Sequence, residues 1–402
     1  MKNVLTIAGF DPSGGAGIQA DLKTFSALET YGLSVATALT VQNTIGVFYV
    51  KEINEEIIYK QLKALMEDID IHAIKIGVLY NKTIIEKISY FLKEINCPIV
   101  ILDPVIISKN GFWLLEESAL KALIKDILPL LTQINIKNDE DIKQSAKIIK
   151  NCGPKYVLVK GVEETLTEVK DMLYDGNEFI MFPSKNLKVH HYLHGTGCTF
   201  ASAIAAELVK GFSIFESIRS AQNFLNSIHN SPLVIGKGNY HINHLGILQH
   251  NADKYSILNE LKSAFDKLRN ENIADYIPEV RSNFVYAAEG ASSLDEVAGF
   301  PGRITRIDDT IAYIKAPEFG KSKHMADTII SVMQYFPHLR SAMNIKFSDN
   351  IIEACKKNNY CIYEFDRNNE TEENKNTEGK TLVWQRRARQ GTYYKSDRPK
   401  SR

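Results

Sequence analysis

Apolar positions along the first 250 residues alternate between two patterns. Short runs such as Val4-Leu5-Thr6-Ile7-Ala8, Ala73-Ile74-Lys75-Ile76, Pro98-Ile99-Val100-Ile101-Leu102 and Tyr156-Val157-Leu158-Val159 read as buried strands. Ile58, Leu62, Leu65, Met66 and Ile69 recur at helical spacing, and Phe200, Ala203, Ile204 and Leu208 open another helix. Such alternation predicts an α/β domain with a mostly parallel sheet and helices on both faces. Asp11, Asp103 and Lys160 each follow a strand in this reading. Alone, each is an ordinary solvated loop charge. Together they are expected at the carboxyl edge of the sheet, where such folds bind small molecules.

The pattern changes near His250-Asn251-Ala252-Asp253, a polar patch that predicts a domain boundary. Leu258, Leu261, Phe265 and Leu268 begin a second unit, expected over residues 253–385 as a smaller α/β domain after a first domain of 1–250. Ser322 is a plausible N-cap for a helix whose apolar face is Ile329, Val332 and Met333. Asp366–Gly379, rich in Asn, Glu and Lys, is expected to be a mobile loop, and the basic segment 386–402, which has no apolar period, a disordered tail.

Composition narrows the class. The 402 residues carry 48 Lys and Arg against 48 Asp and Glu, so no global charge points to nucleic acid or an anionic membrane. No apolar run approaches a membrane span, and Met1-Lys2-Asn3 leads too quickly into a Gly/Asp/Pro turn for a signal peptide. The cysteines Cys97, Cys152, Cys198, Cys355 and Cys361 have no metal-site spacing, and their odd number suits a reducing, cytoplasmic setting. Small-molecule partners and a homo-oligomer are expected.

Two glycine-rich turns carry the candidate chemistry. His194-Gly195-Thr196-Gly197-Cys198-Thr199-Phe200 stands where a helix begins. Glycines allow a tight turn, and helix N-terminal N–H groups with the helix dipole favour a phosphate or developing negative charge. Cys198 at the helix mouth is expected to have a lowered thiol pKa, although a capping turn with a buried cysteine would look the same. The second turn, Gly9-Phe10-Asp11-Pro12-Ser13-Gly14-Gly15-Ala16-Gly17, follows the first strand and feeds a helix carrying Asp21.

With these turns, Thr40-Val41-Gln42-Asn43-Thr44, Lys75-Ile76-Gly77, Leu102-Asp103-Pro104-Val105, Val159-Lys160-Gly161 and Gly236-Lys237-Gly238 occur in an order that resembles the hydroxymethylpyrimidine/phosphomethylpyrimidine kinases of thiamine biosynthesis, members of the ribokinase-like superfamily. The resemblance covers about residues 1–250. It implies that Asp21 and Gln42 hydrogen-bond an aminopyrimidine and that Val78 packs on its ring, with Gly9 and Asp11 beside them. It further implies that Cys198 takes the substrate proton and that Lys160, Gly195, Thr196, Gly197 and Lys237 bind ATP phosphates. Asp103 would hold Mg²⁺. His194 is expected to shape its turn. Two departures stand out. The family's Asn-x-x-Glu pattern reads Asn135-Ile136-Lys137-Asn138 here, leaving Asp139 or Glu140 to replace the glutamate. Val162-Glu163 follows Lys160-Gly161 where the family tends to have Gly-His.

Residues 253–385 resemble an archaeal-type thiamine-phosphate synthase domain through Pro278–Ala287, Pro301-Gly302-Arg303 and the segment around His324. This resemblance implies catalytic roles for Arg303 and His324 and thiazole phosphate as a further substrate. Arg281, Lys321 and Lys323 add positive charge. The family's acidic, glycine-containing end is absent here, which keeps a ligand-sensing role for this domain in view. A pyridoxal-type kinase is the rival for the first domain, opposed by Gln42 and Cys198 in their motifs.

Overall fold

The computed structural model describes residues 1–362 apart from 96, 109, 132, 137–141, 166–167, 186–192, 230–231 and 361. Asp139, Glu140, the loop expected over Asp366–Gly379 and the tail 386–402 thus lie outside the described residues. The chain divides into two compact units between Leu248 and Gln249.

The first unit contains β1 (Asn3–Phe10), α1 (Gly17–Ala27), β2 (Tyr31–Gln42), β3 (Val47–Glu52), α2 (Glu55–Asp68), β4 (Ala73–Ile76), α3 (Lys82–Glu94), β5 (Val100–Leu102), α4 (Glu117–Ala122), β6 (Gln133–Ile136), α5 (Ile142–Asn151), β7 (Tyr156–Glu164), β8 (Glu168–Tyr174), β9 (Phe179–Lys185), β10 (Leu193–His194), α6 (Thr196–Val209), α7 (Ile214–His229) and β11 (Tyr240–His241). Its main sheet has the order β3-β2-β1-β4-β5-β6-β7-β8-β9. The pairs from β2 through β7 are parallel, while β3, β8 and β9 join antiparallel.

Strand alternation divides the core between the faces. Leu5, Ile7, Ile74, Ile76, Val100 and Leu102 pack with α2 and α3 through Ile58, Leu62, Ile84 and Ile88. Val4, Ala73, Ile101 and Leu158 pack on the other side with Phe25, Phe200, Ile204 and Ile218 of α1, α6 and α7. The apolar runs read as strands all lie in this sheet. β7 runs further than its apolar stretch, to Glu164, with a register shift between Val159 and Glu163. Lys160 therefore belongs to the strand itself and does not follow it.

The second unit continues from α8 (Gly246–Asn270) through β12 (Phe284–Ala287), β13 (Val297–Gly299), β14 (Ile304–Ile307), β15 (Thr310–Tyr313), β16 (Glu318–Phe319), α9 (Lys323–Met333), β17 (Ser341–Met343) and α10 (Asp349–Lys357). The patch His250–Asp253, expected at a domain boundary, lies just past the division at Leu248 and Gln249 and within α8, which no Gly or Pro interrupts after Gly246. The sheet β16-β13-β12-β17 is antiparallel throughout, and β14 and β15 form a separate hairpin. Ile257, Leu261 and Phe265 of α8 meet Phe300, Ile304 and Ile311. Met325, Ala326, Ile329 and Val332 of α9 meet Val285, Ala287 and Val297.

Candidate active site

The loop after β1 and the turn before α6 fit backbone to backbone. Gly195 caps α6 with φ +85°, and a Cβ there would stand 1.7 Å from the Gly15 carbonyl oxygen. Gly17 opens α1 with φ +56°, where a Cβ would stand 2.2 Å from the Gly9 carbonyl oxygen. Only glycine satisfies both the left-handed backbone and the approach. Thr196 donates through Oγ1 to the Leu193 carbonyl at 3.1 Å, fixing the first turn of α6.

Asp11 organises its own loop. Its carboxylate accepts from the backbone N–H groups of Ser13, Gly15 and Ala16 and from the Ser13 hydroxyl. His194 Nε2 lies 3.1 Å from Asp11 Oδ2 and 2.8 Å from Gln42 Nε2. One tautomer donates from this nitrogen to Asp11, and the other accepts from the Gln42 amide. Burial alone would raise the Asp11 pKa, but His194, Ser13 and Ala16 together hold it down at about 2. His194 thus ties both glycine loops to the end of β2. Val78 flanks them, its Cβ 3.6 Å from where a Cβ on Gly9 would be.

Cys198 lies in the first turn of α6, partly exposed, and its sulfur accepts the Gly17 backbone N–H from the start of α1. Its pKa departs from expectation. Burial pushes the thiol up to about 11; Lys75 pulls it down, and Asp103 and Asp21 push it further up. The helix mouth is outweighed by desolvation and two carboxylates. A Cβ on Gly197 would stand 3.5 Å from Asp103 Oδ2, so this carboxylate faces the turn. Lys160 Nζ sits 4.2 Å from the centre of the Phe200 ring, in the same stretch of α6.

Asp21 does not occupy the position expected of a ring contact. Its side chain is fully buried. Thr6 donates to Oδ2 at 2.6 Å, Ser202 to Oδ1 at 2.6 Å, and Lys75 Nζ is 3.0 Å from both oxygens. As folded, it offers no surface to a ring, because its charge is spent on a buried lysine. Lys237 belongs to the Gly236–Gly238 stretch before β11. It is exposed on a turn bound to the end of β2, where Gly238 N–H donates to Thr44 Oγ1 and Asn239 N–H to the Thr44 carbonyl. That places it with the Thr40–Thr44 motif and not on the strand that carries Lys160.

Lys75 stands fully buried inside the apolar run of β4, paired with Asp21. A lysine within a strand that packs on both faces requires a buried counter-charge, and that is the signal which could have revealed it. Thr199 and His244 were also missed. They hydrogen-bond at 2.9 Å, and burial, followed by Lys23, holds the His244 pKa down at about 4.

In the second unit, Arg281 and Arg303 form a reciprocal pair. Arg281 Nη1 donates to the Gly302 carbonyl at 3.2 Å, and Arg303 Nη1 to the Val280 carbonyl at 2.5 Å. Both have left-handed backbones, φ +66° and φ +69°. Ser322 caps α9 by position, without a side-chain capping bond, and His324 is exposed in its first turn. A Cβ on Gly299 would stand 3.0 Å from Ser322 Cβ and 3.3 Å from Asn283 Oδ1, which brings the arginine loops and the start of α9 together. Among the described residues, no group of His, Cys, Asp and Glu could by itself hold a metal ion, and no helix is long and apolar enough to cross a membrane.

A family model described as phosphomethylpyrimidine kinase matches residues 11–243, and one described as thiamine-phosphate synthase ThiN matches residues 260–397. The hydroxymethylpyrimidine/phosphomethylpyrimidine kinase of Haemophilus influenzae is 40% identical over 262 residues, 61% of this chain and 97% of that protein. A probable thiamine biosynthetic bifunctional enzyme of Oryza sativa is 37% identical over 253 residues, 59% of this chain and 46% of that protein. Among solved structures, an ADP complex of Bacillus subtilis pyridoxal kinase has 31% identity and a TM-score of 0.55, covering 62% of this chain and 99% of its own.

Proposed function

Because the chain belongs to the phosphomethylpyrimidine kinase family over residues 11–243, we propose that its first unit phosphorylates 4-amino-5-hydroxymethyl-2-methylpyrimidine, and then the monophosphate, with ATP. The single observation that carries this reading is the placement of Cys198 and Asp103 at the mouth of α6, beside loops tied by His194 to Gln42. Gln42 and Val78 bind the aminopyrimidine, and the Gly195–Cys198 turn and Lys160 receive the phosphates. Cys198 in its thiolate form accepts the hydroxymethyl proton as the oxygen attacks the γ-phosphorus and ADP leaves. Catalysis then comes mainly from positioning and charge stabilisation. Asp103 is a hard oxygen donor at this turn and fits Mg²⁺, which when bound neutralises phosphate charge.

The second unit joins the pyrimidine diphosphate to thiazole phosphate, releasing pyrophosphate and forming thiamine phosphate. Arg303 and His324 stabilise the departing pyrophosphate, helped by Arg281 and the start of α9. The enzyme works in the cytoplasm as a homo-oligomer. Leu39, Val41 and Tyr49, exposed on the outer face of β2 and β3, supply an apolar surface for self-association, which light scattering of the purified protein would test.

The deciding experiment incubates the protein with hydroxymethylpyrimidine, thiazole phosphate and Mg-ATP and follows each product by mass. The likeness to pyridoxal kinase favours one second reading, a pyridoxal-type kinase. Turnover of pyridoxal in preference to hydroxymethylpyrimidine would establish it. Binding of the diphosphate without turnover would make the second unit a sensor.

A further inference from the structure

We propose that Asp171 is a positioning residue for nucleotide binding: it holds the bulge of β7 that follows Lys160 and so keeps the Lys160 ammonium against α6. Val159 pairs with Met172 and Glu163 with Lys170, so Lys160, Gly161 and Val162 share the one position opposite Asp171. A bulge of this kind leaves backbone groups without ladder partners. Asp171 Oδ1 accepts the Gly161 N–H at 3.0 Å. Gly161 takes φ +67°, the left-handed region that glycine enters without strain. A Cβ there would meet no atom within 4 Å, so the bulge borders open space. Immediately before it in the chain, Lys160 Nζ stands 4.2 Å from the centre of the Phe200 ring.

The carboxylate is itself held from two further elements. Gln222 of α7 donates through Nε2 to Asp171 Oδ2 and to the Phe182 carbonyl of β9, both at 3.0 Å. Asp171 and Gln222 are both buried. The donors to Asp171 are a backbone N–H and an amide, both neutral. Burying a carboxylate on neutral donors costs more than burying an apolar side chain, so packing alone does not account for it. What this side chain adds is an acceptor for a backbone N–H where the ladder lacks one. Strand alternation sets Lys160 on the side of Leu158, which packs with Phe200. The bulge begins at the next residue, near the carboxyl end of the sheet, and fixes the backbone from which the lysine side chain springs. An aromatic face holds an ammonium only weakly, so the place of Lys160 depends on that backbone.

The proposal rests on the reading of Lys160 as a ligand of the nucleotide phosphates, and binding of ADP tests it without turnover. In calorimetric titrations of the full chain, Asp171→Ala should weaken ADP about tenfold, the scale of one lost contact to a charged group, while the affinity for hydroxymethylpyrimidine holds. In a Lys160→Met background the same change should have no further effect on ADP. Unchanged ADP affinity in Asp171→Ala, an equal loss of pyrimidine affinity, or losses that multiply with those of Lys160→Met would each assign Asp171 to packing and overturn the proposal. Should Asp171→Ala not fold, Gly161→Ala takes its place. It keeps the carboxylate, meets no neighbour and strains only the left-handed backbone of the bulge, and it should weaken ADP only where Lys160 is present. Parental ADP affinity in Gly161→Ala overturns the proposal as well. Lys160→Met with parental ADP affinity would remove Lys160 from the nucleotide site, and the proposal with it. A parent chain that binds ADP and phosphorylates no pyrimidine refutes the kinase reading alone, and the ADP titrations still decide the role of Asp171.

Discussion

His194 Nε2 and Asp11 Oδ2, 183 residues apart in sequence, stand 3.1 Å from each other and join the two glycine loops of the first unit. Asp11 ionises at about 2, below the ordinary 3.8. A depressed carboxylate pKa contributes stability that is present above the unfolded value and lost as pH falls through the folded one. Asp11→Asn should therefore cost about 2 kcal/mol near neutral pH, and the difference from the parent should close as pH drops from about 4 to 2. Urea unfolding at several pH values checks this; a constant difference would show that the ionised form is not what matters.

Cys198→Ala should lower kcat by about 10²–10⁴-fold with little change in pyrimidine affinity, the range expected on losing a general base. Because the thiol ionises at about 11, the thiolate is the minor form near neutrality. The parent kcat should then rise with pH, approaching tenfold per unit below that value. A flat profile would mean that the neutral thiol only hydrogen-bonds the substrate hydroxyl.

Gln42→Leu should weaken aminopyrimidine binding by roughly 1–3 kcal/mol, because polar ring atoms lose their partner while the pocket keeps its volume. Calorimetric titration with hydroxymethylpyrimidine gives the affinity directly. An unchanged Kd would place the ring away from the end of β2.

Arg303→Ala and His324→Ala should each abolish thiamine phosphate formation and leave pyrimidine phosphorylation intact, since the two units have separate cores. Product analysis by mass separates the two activities in one sample. Normal thiamine phosphate yield from both variants would remove these residues from the synthase site.

Much of the first unit was legible because strand and helix periods differ and the motifs fall at strand ends. Val4–Ala8 and Ala73–Ile76 were readable from their apolar content, and Gly195–Cys198 from its glycines. What stayed hidden depended on partners distant in sequence. Nothing local tells that Asp21 meets Lys75 and Ser202 instead of solvent, or that burial, with two carboxylates adding to it, raises the Cys198 thiol. The boundary expected near 250–253 falls beside the division between Leu248 and Gln249, while the helix itself runs through it because no Gly or Pro breaks it after Gly246.

The close fit of Gly15 against Gly195 also has a consequence for how the protein is made. A chain emerging from the ribosome completes β1 and the loop of residues 9–17 long before α6 exists. Until residue 195 arrives, that loop lacks the backbone it fits against, and Asp11 lacks its histidine. The corner where the two glycine loops meet is therefore a late product of synthesis, and a chain released before α6 would have every strand of the main sheet but not this corner.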